Sequence, residues 1–147
     1  MKFFKYTLLY SLLCFLALQT HAQISPKLKK YVDSLNQLID QAPDTSKVDL
    51  LQKISWSYRN AMPDSTIIFA QKALDLSEKI KFGKGKIKSL NFIGVAYRNK
   101  GNYSLASKYY FDALRAAEKL DDQEQIGYSS INIGNVYVYQ TNFLKTW

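Results

Sequence analysis

Tyr58-Arg59-Asn60 recurs as Tyr97-Arg98-Asn99 at a spacing of 39, and Ala73-Leu74 with Glu78-Lys79 recurs as Ala113-Leu114 with Glu118-Lys119 at a spacing of 40. The phasing continues downstream, where Ile93-Gly94 and Tyr97 return as Ile133-Gly134 and Tyr137, and Asn102-Tyr103 returns as Asn142-Phe143, again at 40. Three copies in one phase constrain this chain more than any other feature. A repeated unit that cannot bury its apolar face alone must stack on its neighbours, so the pattern points to a one-dimensional array. The one-residue difference in spacing falls at Ala61-Met62-Pro63, where a shorter turn stands in for Lys100-Gly101-Asn102.

Within the unit Leu90–Leu120 the apolar residues are helical in period. Leu90, Ile93 and Tyr97 fall at i, i+3 and i+7, Tyr103, Ala106, Tyr110, Ala113 and Ala117 recur every three or four residues, and Gly101-Asn102 interrupts them. Gly94 and Ala113 are small where each helix must bear on its partner. Leu90, Ile93, Gly94, Tyr97, Ala106, Tyr110 and Ala113 together resemble the tetratricopeptide signature in type and spacing, although Glu118 stands where that family often has proline. The resemblance implies an all-α, antiparallel helix-pair solenoid. The family's usual period is about 34 residues, so longer helices or turns are expected. Arrays of long period are what the chain resembles in exported bacterial sensor and regulator proteins.

The array divides as a leading helix in 23–43, a first repeat in 44–82, a second in 83–122 and a truncated third in 123–147. Ser25-Pro26 reads as an N-cap followed by proline at the first helical position, Pro43 ends the leading helix, and Asp44-Thr45-Ser46 caps the next. The first repeat is degenerate, with Ser55 for the glycine of the second copy and Thr66 for its Ala106. In the third, a first helix over Gln125–Gln140 is expected to give way to a partner helix beginning at Asn142. A half-repeat leaves Ile133 and Tyr137 poorly covered, which suggests a fragment of a longer array.

Ahead of the array stands a leader. Lys2 and Lys5 are followed by an apolar stretch from Tyr6 to Leu18 and by Thr20-His21-Ala22, the layout of a secretory signal peptide (1–22) cut after Ala22. The apolar stretch is shorter than the roughly 20 residues of a membrane-spanning helix, so no stable membrane span is expected after cleavage. Cys14 lies inside the stretch rather than at its end, which argues against lipidation. Export to the periplasm is the expected fate.

The only cysteine and the only histidine, Cys14 and His21, leave with that leader. The mature chain then holds no thiol and no imidazole, which removes Cys-His and Ser-His nucleophilic sites, most zinc sites and any disulfide. Gly83-Lys84-Gly85-Lys86 lacks the spacing and the hydroxyl residue of a phosphate-binding loop. Asp121, Asp122 and Glu124 read as acidic residues favoured at the start of a helix. Neither a catalytic residue nor a metal ligand nor a cofactor is expected, and the chain reads as no enzyme. Net charge is +8, or +6 once Lys2 and Lys5 are gone. Lys79, Lys81, Lys84, Lys86 and Lys88 crowd one join between repeats. They read as a solvated turn, and export argues against nucleic acid as a partner.

In the family resembled, first helices of successive repeats line a concave face that grips an extended peptide. Carried over position by position, that face would hold Gln52, Trp56, Arg59 and Asn60, then Lys88, Asn91, Val95, Arg98 and Asn99, then Tyr128, Ile131, Asn135 and Tyr139. Asn91 and Asn135 would hydrogen-bond a peptide backbone, and Arg59 and Arg98 would take a carboxylate in bidentate fashion. Helix capping is the alternative role for the two Arg-Asn pairs. The expected function is a non-catalytic module binding a peptide or protein segment, at most the sensing end of a signal-transduction protein. The alternative is an envelope scaffold or assembly factor that self-associates through its third repeat.

Overall fold

A computed structural model describes residues 24–145. The leader expectation, 1–22, lies outside the described residues. Among those described, the ordered elements are six helices: α1 Pro26–Ile39, α2 Asp44–Tyr58, α3 Pro63–Lys79, α4 Gly83–Asn99, α5 Tyr103–Lys119 and α6 Gln123–Lys145. Each packs antiparallel on the next, and the first helices of successive pairs, α2, α4 and α6, also touch one another. The fold is all-α, a tetratricopeptide-like helical array.

The long period comes from long helices joined by short turns. Helices α3, α4 and α5 are each 17 residues long, and three-residue turns separate them, so helices start at positions 63, 83, 103 and 123. Lys81, Gly101 and Asp121 sit at the same point of successive turns with φ of 57°, 75° and 52°. The next amide then reaches back into the last turn of the helix in each case: Phe82 N to Ser77 O at 2.7 Å, Asn102 N to Tyr97 O at 2.9 Å and Asp122 N to Ala117 O at 3.0 Å. This is the left-handed C-terminal cap that satisfies a helix's last carbonyls. Only one of the three residues is a glycine.

Side-chain caps restart the chain where the sequence supplies them. Ser25 Oγ accepts from Leu28 N at 3.2 Å with Pro26 at the first turn of α1, Asn102 Oδ1 accepts from Leu105 N at 3.1 Å and Asp122 Oδ1 from Gln125 N at 3.2 Å. The expected cap at Asp44-Thr45-Ser46 is different in detail. Helix α2 already begins at Asp44, preceded by Pro43 with no side-chain cap, and Asp44 pairs instead with Lys47 one turn on.

The seam inside each pair is tight. A Cβ on Gly94 of α4 would lie 2.6 Å from the Tyr110 ring of α5, so glycine makes the hole that Tyr110 fills. In the first pair the same contact is polar, with Ser55 Oγ donating to the Thr66 carbonyl at 2.9 Å. Ala70, Leu74, Ile87, Leu90, Ile93, Ala113 and Ala117 form the largest apolar cluster, between α3, α4 and α5. Val32 and Leu35 of α1 pack on Ile54 and Tyr58 of α2.

The third repeat corrects an expectation. No partner helix begins at Asn142, because α6 continues through it to Lys145. One repeat after Gly101 the chain has Thr141, whose β-branched side chain disfavours the left-handed region more strongly than Lys81 or Asp121 does. Its hydroxyl donates back to the Tyr137 carbonyl inside the helix.

Candidate functional site

A cleft of about 290 Å³ opens between the first helices, lined by Gln52, Lys53 and Trp56 of α2, Lys88 and Phe92 of α4, and Glu124, Gln125 and Tyr128 of α6. Its floor is aromatic. The Trp56 and Phe92 rings stack with centroids 4.9 Å apart, and Trp56 remains 36% exposed. Cations gather at these rings: the Arg59 guanidinium lies 4.2 Å from the Trp56 centroid and Lys88 Nζ 5.9 Å from that of Phe92. Lys53 adds a third positive charge, with Glu124 contributed by α6.

Of the residues expected on this face, the structure brings Gln52, Trp56, Lys88 and Tyr128 into the cleft. Lys53, Phe92, Glu124 and Gln125 join them from outside that expectation. Phe92 does leave a signal in the sequence, since it is a large aromatic outside the Leu90, Ile93, Tyr97 stripe, as Trp56 and Tyr128 are outside theirs.

Two of the expected peptide-contacting amides are engaged elsewhere. Gln52 is 2% exposed and Asn91 fully buried. Gln52 Nε2 donates to the Gly85 carbonyl at 2.8 Å and to Ser89 Oγ at 2.9 Å. Asn91 Nδ2 donates to Gln125 Oε1 at 3.3 Å, and its Oδ1 accepts from Ser129 Oγ at 3.1 Å. Gln125 and Ser129 hold, one repeat on, the positions of Gly85 and Ser89, so one polar device joins each first helix to the next. Asn91 therefore does not present its amide to a peptide backbone. Val95 is buried as well. Gln52 Oε1 has no hydrogen-bond partner among the described residues. The Gly85 carbonyl accepts only, which fixes the amide's orientation and rules out a flip.

Three of the four residues of the Arg-Asn pairs are engaged within the array. Arg59 Nη1 donates to the Trp56 carbonyl at 2.8 Å. Arg98 donates from Nη1 to Asn132 Oδ1 at 3.2 Å, and from Nε and Nη2 to Asn99 Oδ1 at 3.4 and 3.3 Å. Asn99 Nδ2 in turn donates to the Arg59 carbonyl at 2.6 Å. The Arg98 fork is thus held by two side-chain amides instead of being presented as a carboxylate clamp. Asn60 and Asn135 are exposed but outside the cleft lining. Ile131 and Tyr139 are exposed on α6, and Tyr139 stacks on Tyr103 at 6.0 Å.

The cleft can hold one or two side chains of a longer segment. Among the described residues no three His, Cys, Asp or Glu side chains are placed to hold a metal, and no helix is long and apolar enough to cross a membrane. Tyr110, in the seam against Gly94 and outside the cleft lining, is strongly perturbed. Burial pushes its phenol well above the ordinary tyrosine range, the nearby Arg98 charge opposing and Tyr128 adding.

No family model matches the chain. It is similar to "Tetratricopeptide repeat protein 29" of Trypanosoma brucei brucei, 28% identical over 75 residues. The match takes in 49% of this chain and 16% of that protein, whose name states the repeat and no sensing or signalling role.

Proposed function

We propose that this chain is a non-catalytic binding module that holds an extended peptide or protein segment across α2, α4 and α6. An apolar or aromatic side chain of the segment lies on Trp56 above Phe92, and a neighbouring acidic side chain lies beside Lys53 and Lys88. The observation that carries this reading is the Trp56–Phe92 stack, an aromatic pair from two repeats kept partly open in a cleft flanked by cations. Aromatic residues in such settings hold most of the energy of protein contacts. A similarity to a tetratricopeptide protein supports a protein partner.

Export, and a place at the sensing end of a signal-transduction protein, belong to the same proposal and rest on the leader-like Lys2–Ala22 segment and the long repeat period. Selection from a displayed library of extended peptides tests the binding role. The expected binders pair an aromatic or large aliphatic residue with a nearby Asp or Glu, and lose binding to Trp56→Ala. Binders that are basic, or that survive Trp56→Ala, would count against it.

A further inference from the structure

We propose that Glu124 and Tyr128 of α6 form a subsite for a cationic side chain, Lys or Arg, carried by the bound segment a few residues from its acidic one. The inference rests on the peptide-binding reading and adds a requirement to the same cleft.

The cleft is one arrangement used three times. Each first helix contributes an aromatic ring and, about one turn before it, a charge: Lys53 and Trp56 on α2, Lys88 and Phe92 on α4, Glu124 and Tyr128 on α6. Residues three or four apart share one face of a helix, so each charge enters the cleft with its ring. The aromatic row continues from repeat to repeat, whereas the charge changes sign at the third. A segment crossing α2, α4 and α6 in that order meets two positive groups and then a negative one.

The third ring also differs in what lies on it. The Arg59 guanidinium is 4.2 Å from the Trp56 centroid, and Lys88 Nζ is 5.9 Å from that of Phe92. Among the described residues no cation of the chain lies over Tyr128. A ring face beside a carboxylate attracts a cation twice, through the ring quadrupole and through the charge.

An acid in the first turn of a helix is favoured by the helix dipole, and α2 and α3 begin in the same way with Asp44 and Asp64. Those two are paired, with Lys47 and Lys100. Glu124 is exposed and belongs to no ion pair among the described residues. Neither do Lys53 and Lys88, although all three line one cleft. A segment that carries both signs therefore satisfies each charge without displacing an existing pair.

Packing sets the spacing. Successive first helices touch, which places their axes about 8–10 Å apart, and an extended chain advances about 3.3 Å per residue. The cation then falls about three to five residues from the acidic residue held by Lys53 and Lys88. Because it comes in addition to that acidic residue, such a segment is near neutral rather than basic.

Fluorescence-anisotropy titration of the full chain with synthetic peptides, capped at both ends, tests this. Every peptide has one Asp beside one Phe, and carries Lys, Gln or Glu three to five residues from the Asp on one side or the other. On one side, Lys should tighten binding about threefold or more over Gln, and Glu should weaken it. The gain should shrink in high salt. Glu124→Gln should abolish the preference and Glu124→Lys should reverse it in favour of Glu, both with unchanged circular dichroism, because the side chain is exposed. Peptides that bind through Trp56 equally well with Lys, Gln and Glu, or a Lys preference that survives Glu124→Lys, would overturn the subsite alone. Binding indifferent to Trp56→Ala, or no binding by any peptide of the set, would overturn the cleft reading and the subsite with it.

Discussion

Asn99 donates from Nδ2 to the carbonyl oxygen of Arg59 at 2.6 Å, which ties the end of α4 to the end of α2. The bond satisfies a carbonyl that the end of α2 leaves without an intrahelical partner. Asn60 holds the corresponding place one repeat earlier and is simply exposed. Asn99→Ala should therefore lower stability by about 1 kcal/mol and Asn60→Ala by no measurable amount. Thermal melts of the two variants check the difference, and equal effects would argue that the bond contributes nothing.

Gly94 and Gly134 occupy one repeat position in opposite surroundings. At Gly94 an added methyl group strikes the Tyr110 ring, whose place in the seam is fixed by packing on both sides. Overpacking of this kind costs about 1–3 kcal/mol. At Gly134 the methyl group meets open space, and alanine's better helix propensity should stabilise by up to about 1 kcal/mol. Urea denaturation of Gly94→Ala and Gly134→Ala should move the midpoint in opposite directions.

How much of this was legible beforehand depended on whether a residue's surroundings lay within its own helix pair. Gly94, Tyr110 and the stripe Leu90, Ile93, Tyr97 belong to one pair, so their spacing alone located the seam. Gln52 and Asn91 look like surface amides when counted along α2 and α4. The first helix of the following repeat is what buries them, and its crossing angle is not written in either helix. Phe92 was legible as an aromatic outside the stripe, but its stacking on Trp56 depends on how the two first helices cross. The repeat at Asn142-Phe143 gave the opposite error, since sequence likeness suggested a turn where the β-branched Thr141 disfavours the left-handed conformation that Lys81, Gly101 and Asp121 adopt.

The turns carry strain that substitution can relieve. Lys81 and Asp121 have φ of 57° and 52°, a region that costs a residue with a side chain about 1–2 kcal/mol. Glycine avoids that cost and loses some of the gain to its freer unfolded state. Lys81→Gly should stabilise by up to about 1 kcal/mol, whereas Gly101→Ala, at φ of 75°, should destabilise by about 1 kcal/mol. Differential scanning calorimetry distinguishes the two signs.

Tyr110 makes stability depend on alkaline pH. Its hydroxyl is buried without a partner among the described residues, and burial raises the pKa of the phenol in the folded chain above the 10.0 of an exposed tyrosine. Tyr58 is raised by burial and by Asp33, in that order. Below pH 10 both phenols are neutral whether the chain is folded or not, so their contribution is intact. Above it the unfolded chain loses protons that the folded chain keeps, and stability falls with rising pH. Tyr110→Phe should flatten that fall while costing little at neutral pH, since no hydrogen bond is lost. Chemical denaturation at pH 7 and above pH 10 shows whether the variant's loss is smaller than the wild type's.

The most direct measurement is fluorescence of Trp56 in a Trp147→Phe background, where it is the sole tryptophan, titrated with a selected acidic-aromatic peptide. The Trp56 emission should shift and saturate with the peptide. Lys53→Glu with Lys88→Glu should weaken binding by tenfold or more, about 1.4 kcal/mol, and leave the fold intact. A peptide that binds Trp56→Ala as tightly as the parent, or that leaves the Trp56 emission unchanged at saturation, would place the binding surface elsewhere and contradict the account.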